Sequence, residues 1–179
     1  MSDDVEVLGE GRFLRLVSRK TWEFVQRPNA SAVVIVAAAT VAGEAVLVEQ
    51  YRESVRSWVI EWPAGLVGDE AGAEDESLTE AAARELEEET GYRAADLEIV
   101  TAGPPCVGLS EEIDHFLVAR GLEKVGEGGG VGHERIVVRL VPLAQLADWL
   151  AAQRAAGRLV DPKVYTGLYF LERALAPAA

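Results

Sequence analysis

Arg84-Glu85-Leu86-Glu87-Glu88-Glu89-Thr90-Gly91-Tyr92 decides how this chain reads, because it sets several carboxylates on one short helix. Ser77 and Glu80 stand in the S-x-x-E spacing of a capping box, the Ala-rich run after them favours helix, and Gly91 is placed to end it with a left-handed cap. The spacing predicts a helix over Leu78–Thr90. At roughly 100° per residue, Leu78, Ala82 and Leu86 form an apolar stripe, and Glu80 and Glu87 project to solvent. Glu85 and Glu89 fall within about 20° of Leu78, with Glu88 at the edge of the stripe, so these three acids face inward or into a cleft. A glutamate run is ordinarily a solvated helix face, but that describes only Glu80 and Glu87. Acids three and four residues apart repel unless a cation offsets them. Oxygen ligands without a nearby His or Cys suit Mg2+ or Mn2+. Arg84, within reach of Glu88 one turn on, would hold a carboxylate in place while staying off the metal.

From Glu76 onward these residues resemble the Nudix hydrolase signature, G-x5-E-x7-R-E-U-x-E-E-x-G-U with U bulky: Glu76, Arg84-Glu85-Leu86, Glu88-Glu89, Gly91 and Tyr92 all match. The fitting glycine, Gly65 after Pro63-Ala64, lies ten rather than five residues ahead of Glu76. Gly68–Asp75 therefore reads as a lengthened acidic loop, and lengthening a loop costs little entropy.

The flanks resemble the ADP-ribose and nucleoside-diphosphate-sugar pyrophosphatases of that family, through Arg27, Glu49-Gln50-Tyr51-Arg52, Glu61-Trp62-Pro63-Ala64-Gly65, Gly108-Leu109-Ser110-Glu111-Glu112 and Gly157 to Asp161. The resemblance implies an α+β Nudix fold, with mixed β-sheets packed between helices and an antiparallel N-terminal sheet. It implies that residues 1–42 dimerise and bind the base, and that residues 43–179 form the catalytic domain. Glu85, Glu88, Glu89 and the Ala64 carbonyl would hold metal, and Glu88 and Arg84 belong to the catalytic set. Arg27, Arg52 and Glu61 would meet substrate, with Trp22 or Phe24 stacking on its base. The expected activity is Mg2+-dependent hydrolysis of the pyrophosphate in ADP-ribose or a related nucleotide sugar, carried out by a homodimer. A nucleoside-triphosphate or coenzyme A pyrophosphatase, and a nucleotide-binding Nudix regulator without turnover, are the alternatives. The proline that marks ADP-ribose enzymes falls near Val107 here. The acid-rich loop of relatives aligns with Gly132-His133-Glu134, which makes Glu134 the expected general base and His133 its neighbour.

Composition agrees with one compact enzyme. The 179 residues are 49% hydrophobic, enough for a sizeable core. The single cysteine, Cys106, precludes an internal disulfide and fits a reducing compartment. A formal net charge of -13 argues against affinity for nucleic acid or anionic membrane. The acidic start Met1-Ser2-Asp3-Asp4 lacks an apolar signal core, and the longest apolar run, from Ala32 to Val41, is too short to span a bilayer. A cytoplasmic protein acting on a small nucleotide is expected.

Strand-like runs cover Phe13–Arg19, Thr21–Gln26, Trp58–Trp62, Leu97–Ala102, Ile113–Ala119 and Arg135–Val141. Ala32–Thr40 and Glu44–Gln50 read as a hairpin about Ala42-Gly43. The glycine-rich Gly121–Gly132 reads as a flexible surface loop or a lid. Helices are expected over Leu143–Ala156 and Pro162–Leu175, the second opened by Asp161 as N-cap and Pro162 at the first helical position.

Overall fold

A computed structural model describes residues 5–69, 72, 74–132 and 135–176. Three strands, β1 (Glu6–Glu10), β2 (Arg15–Arg19) and β3 (Trp22–Gln26), form an antiparallel N-terminal sheet. The central sheet has the order β7 (Ala64–Val67), β4 (Ala32–Ala38), β10 (Asp114–Arg120), β9 (Asp96–Gly103). Its inner pair β4/β10 is parallel, and both outer pairings are antiparallel. The other sheet runs β12 (Ile136–Pro142), β5 (Glu44–Arg52), β6 (Ser57–Glu61), β13 (Leu159–Val160). Helix α1 (Leu78–Thr90) packs on β4 and β7, while α3 (Lys163–Leu175) packs on β4, β10 and β6. A 3-10 turn, Leu143–Gln145, leads into α2 (Leu146–Ala155).

The unbroken apolar run in β4 follows from burial on both faces. Ile35 and Ala37 join Leu47, Ile60, Trp62, Phe116 and Leu171 in a core between the sheets and α3. Val34 and Val36 join Ala81, Ala82, Leu86 and Leu117 under α1. The mixed sheets, the helices and the antiparallel N-terminal sheet are those expected.

The hairpin expected about Ala42-Gly43 is corrected. Its turn exists, with the Thr40 N–H donating to the Glu44 carbonyl and one isolated bridge between Ala39 and Ala45. Beyond it, however, β4 and β5 enter different sheets. Each carries five consecutive buried residues, and a strand covered on both faces can pair along its edges with any buried neighbour, so adjacency in sequence does not fix its sheet. Although β4 lies within residues 1–42, it pairs with β7 and β10 of the following segment. Five strands had no counterpart in the reading: β1, which is exposed throughout, β7, read as a turn, the short β13, and the two-residue strands β8 (Tyr92–Arg93) and β11 (Glu123–Lys124), which pair with each other.

Candidate active site

Helix α1 forms as its local chemistry dictates. The Ser77 hydroxyl accepts from the Glu80 N–H, Glu80 returns to the Ser77 N–H at 2.9 Å, and Gly91 closes the helix at φ 70°. Leu86 is fully buried and Glu80 exposed. Glu85, Glu88 and Glu89 lie on the protected side, Glu89 being only 5% exposed.

Arg84 organises these acids. Its Nε and Nη2 donate to the two carboxylate oxygens of Glu76 at 3.0 and 3.1 Å, its Nη1 to Glu85 at 2.8 Å and to Glu88 at 3.5 Å, and Nη2 also to the Leu66 carbonyl at 3.2 Å. The guanidinium pKa is raised, chiefly by the hydrogen bonds to Glu76. Glu76, a signature position with no assigned role in the sequence reading, thus anchors the arginine that holds the helix to the β7 backbone.

The strand β7 comes equally close. The Ala64 N–H donates to the Glu89 carboxylate at 3.1 Å, and a Cβ on Gly65 would overlap the Glu85 carboxyl. A side chain at position 65 would therefore displace the Glu85 carboxyl from this place. Burial pushes the Glu85 carboxyl up to about 7 against the pull of Arg84, with Glu88 and Asp69 adding like-charge repulsion.

Arg27, Arg52, Glu61, Ala64 and Glu85 line one open cleft of about 520 Å³. Asp69, Glu112, Asp114 and Lys163 line it too and were missed by the sequence reading. Glu112 ends the quoted Gly108–Glu112 segment, where it was given no role, and Asp114 lies two residues beyond it; neither had a periodic signal to mark it as inward-facing. All three cations are engaged by acids, Arg27 by Glu112 and Arg52 by Glu61, both at 2.8 Å. Lys163 binds Asp161 at 2.6 Å. The Asp161 carboxylate also accepts from the Lys163 N–H at 2.8 Å, so it caps α3 as expected.

Trp22 and Phe24 do not line this cleft. They share a recess with Arg19, Lys20, Ser110 and Glu111. Phe24 is 6% exposed beneath the Arg19 guanidinium, whereas Trp22 is 59% exposed. Glu134 and His133 lie outside the described residues.

The glycine-rich segment leading toward them is bound to the end of α1 over its first part. The Val125 and Gly126 N–H groups donate to the Gly91 carbonyl, that of Gly129 to the Glu89 carbonyl at 2.8 Å, and that of Gly130 to the Glu88 carbonyl at 3.0 Å. Lys124 Nζ donates to the Thr90 carbonyl at 2.8 Å. The carbonyls left unpaired at the helix end thus find their donors in this loop. A Cβ at Gly128 would overlap the backbone of Glu89 to Gly91, so only glycine permits the approach. This stretch is neither a loose loop nor a lid over residues 124–130.

The donor set suits a hard divalent cation: carboxylates and a carbonyl, with no thiolate or imidazole among the site's described residues. Among the described residues no three acidic, His or Cys groups already converge on one point. Arg84 stands where positive charge is wanted, and an incoming ion would draw Glu85 from it. The neighbouring Gly65 leaves the room.

The NUDIX domain profile matches residues 26–162. The chain belongs to the Nudix family. Nudix hydrolases generally use divalent metals, in keeping with the oxygen-only cluster on α1. This Nudix chain is 39% identical over 115 residues to a methanol dehydrogenase activator of Bacillus methanolicus, covering 64% of this chain and 58% of that protein. It is likewise 39% identical over 105 residues to the ADP-ribose pyrophosphatase of Bacillus subtilis (strain 168), covering 59% and 52%. The matched segments thus span little more than half the length of these curated relatives. A crystal structure of an ADP compounds hydrolase superposes with a TM-score of 0.71 at 23% identity, over 96% of this chain and 91% of that one, and shows the fold. Among the described residues no helix is long and apolar enough to cross a membrane.

Proposed function

We propose that this Nudix protein is a cytoplasmic, homodimeric hydrolase that uses Mg2+ or Mn2+ to cleave the pyrophosphate of ADP-ribose or a related nucleoside diphosphate sugar, yielding a nucleoside monophosphate and a sugar phosphate. The observation that carries it is the acid cluster Glu85, Glu88 and Glu89, held by Arg84 against the Ala64-Gly65 turn beside a cleft bearing Arg27, Arg52 and Lys163. The name of the Bacillus subtilis relative supports the substrate class.

Glu85, Glu88, Glu89 and the Ala64 carbonyl hold the metal in this reading. When bound, the metal neutralises nonbridging phosphate oxygens and lowers the pKa of the attacking water. Arg84 keeps the carboxylates in register, and Glu76 fixes Arg84. Arg27 and Arg52 exchange Glu112 and Glu61 for phosphate oxygens, so that phosphate is met by placed arginines despite the acidic chain. Glu61 orients Arg52 within the substrate set. Trp22 stacks on the base, and Phe24 supports that recess from beneath. Glu134 takes the proton of the water as it attacks phosphorus in line.

A panel of ADP-ribose, nucleotide sugars, nucleoside triphosphates and coenzyme A, assayed with Mg2+ for released monophosphate, tests this reading. Turnover is expected on ADP-ribose or nucleotide sugars, and confinement to triphosphates or coenzyme A would overturn the substrate class. In the same assay Glu85→Gln and Glu89→Gln should each lower turnover at least about a hundredfold, and Glu134→Gln by roughly 10² to 10⁴ at saturating Mg2+. Full activity of both helix variants at low Mg2+ would remove the metal assignment.

A further inference from the structure

Asp114 is the anomaly of the cleft. It opens β10 on the face that carries Phe116, and only 4% of it is exposed, yet it lines the cavity. Its side chain has no hydrogen bond or ion pair among the described residues, and its carboxylate oxygens are not sealed off from the cleft. Every other acid singled out in the cleft apart from Asp69 has a cation: Glu112 holds Arg27, Glu61 holds Arg52 and Glu85 holds Arg84. Lys163, whose charge acts on Asp114, bonds instead to Asp161. Burial pushes the Asp114 carboxyl up to about 6, with Lys163 pulling it down and Glu112 and Asp161 pushing it further up.

A carboxylate at the floor of an open cleft with no donor from the protein is satisfied by solvent, and a ligand that displaces the solvent must supply a donor or leave it buried at a cost. Phosphate oxygens offer none and would be repelled. A sugar hydroxyl donates without adding charge. The cleft also runs into a second hollow of about 680 Å³ that shares Arg52, Glu61, Pro105 and Lys163 with it and adds Val55 and Leu159. The recess of Trp22 and Phe24 shares no lining residue with the cleft.

Resting on the hydrolase reading above, we propose that Asp114 is a specificity-determining residue that accepts a hydrogen bond from a hydroxyl of the sugar on the far side of the pyrophosphate from the nucleoside. An alkyl group in place of that sugar leaves Asp114 buried and unpaired, and sites built around a hydroxyl discriminate strongly against analogues that lack it.

The test compares kcat/KM for ADP-ribose with that for the β-ethyl ester of ADP, which presents the same nucleoside and pyrophosphate but no sugar hydroxyl on the far side. The wild type should favour ADP-ribose by at least about tenfold. Asp114→Val should abolish most of that preference, whereas Asp114→Asn, whose amide oxygen still accepts, should retain most of it. An unchanged ratio in Asp114→Val would overturn the proposal, as would recovery of its loss on raising Mg2+, which would mark a metal-linked carboxylate. If the wild type cleaves neither compound, the hydrolase reading is what has failed. Calorimetry then decides Asp114 by itself: the affinity for ribose 5-phosphate relative to inorganic phosphate should fall about tenfold in Asp114→Val, and an unchanged ratio would overturn the assignment. Should the valine variant fail to fold, Asp114→Ala, which likewise lacks an acceptor, serves in the same measurements.

Discussion

Arg84 and Asp114 mark the two ways in which a charged residue is kept beneath this surface. Arg84 makes hydrogen bonds to Glu76, Glu85, Glu88 and the Leu66 carbonyl, so its buried charge is compensated on every side. Asp114 has no such partners among the described residues, and its carboxylate opens only onto the cleft. Its carboxyl titrates near 6 rather than at an ordinary 3.8, so the folded state binds its proton more tightly than the unfolded chain does. Stability from this group is present below about pH 4 and is lost as pH rises through 6. Asp114→Asn removes that dependence. Urea unfolding of the ligand-free protein should find the two proteins alike near pH 4 and the variant more stable at pH 7.5, by up to about 3 kcal/mol. A variant less stable at pH 7.5 would show that Asp114 has a partner within the fold. Glu49 is the opposite case. It is 3% exposed between Arg139 and Arg158, whose hydrogen bonds outweigh its burial and hold its pKa below the usual value.

At the scale of the element, α1 is held at both ends by different means. Its start is local, the capping box of Ser77 and Glu80, and was legible because it needs only four consecutive residues. Its end is tertiary. The left-handed Gly91 was legible, but the donors to the Glu88 and Glu89 carbonyls come from Gly130 and Gly129, some forty residues further along the chain. Glycine there was read as freedom, whereas Gly128, at φ 72°, is glycine because the helix backbone lies against it. Gly128→Ala should destabilise the protein by roughly 1–3 kcal/mol, since it adds both a left-handed strain and an overlap. For a chain of this length that lowers Tm by about 4–10 °C, measurable by calorimetry. Amide exchange at Gly129 and Gly130 should accelerate more than at β4. An unchanged melting temperature would show that the loop does not clasp the helix.

At the scale of the whole molecule, the N-terminal sheet is incomplete by itself. Val7, Leu8, Leu16 and Trp22 are each more than two-fifths exposed on a sheet of three strands, and only Val17 and Phe24 of its side chains are fully covered. The sheet is tied to the rest through Val25 with Leu109 and Gln26 with Glu111. We propose that a second copy covers the exposed residues, as the reading of residues 1–42 expects. Light scattering at micromolar concentration should give twice the chain mass, and Leu16→Glu with Trp22→Glu should give monomers. A monomeric wild type would count against the dimer.

The sequence by itself determined the helix, its caps, its inward-facing acids and the family, because these rest on spacing within about fifteen residues, where backbone geometry alone sets which side chains share a face. It also located most strands, through runs of apolar and β-branched residues. Only the tertiary structure decided that β4 and β5 part into two sheets, since a strand buried on both faces looks the same whichever neighbour it takes. Only the fold brought Asp114 and Lys163 to the cleft of Glu85 and set the glycine-rich loop on the end of α1. Those contacts join residues about thirty or more apart, and such distances leave no periodic trace in the chain. What specifies them is the packing of two cores around one central sheet.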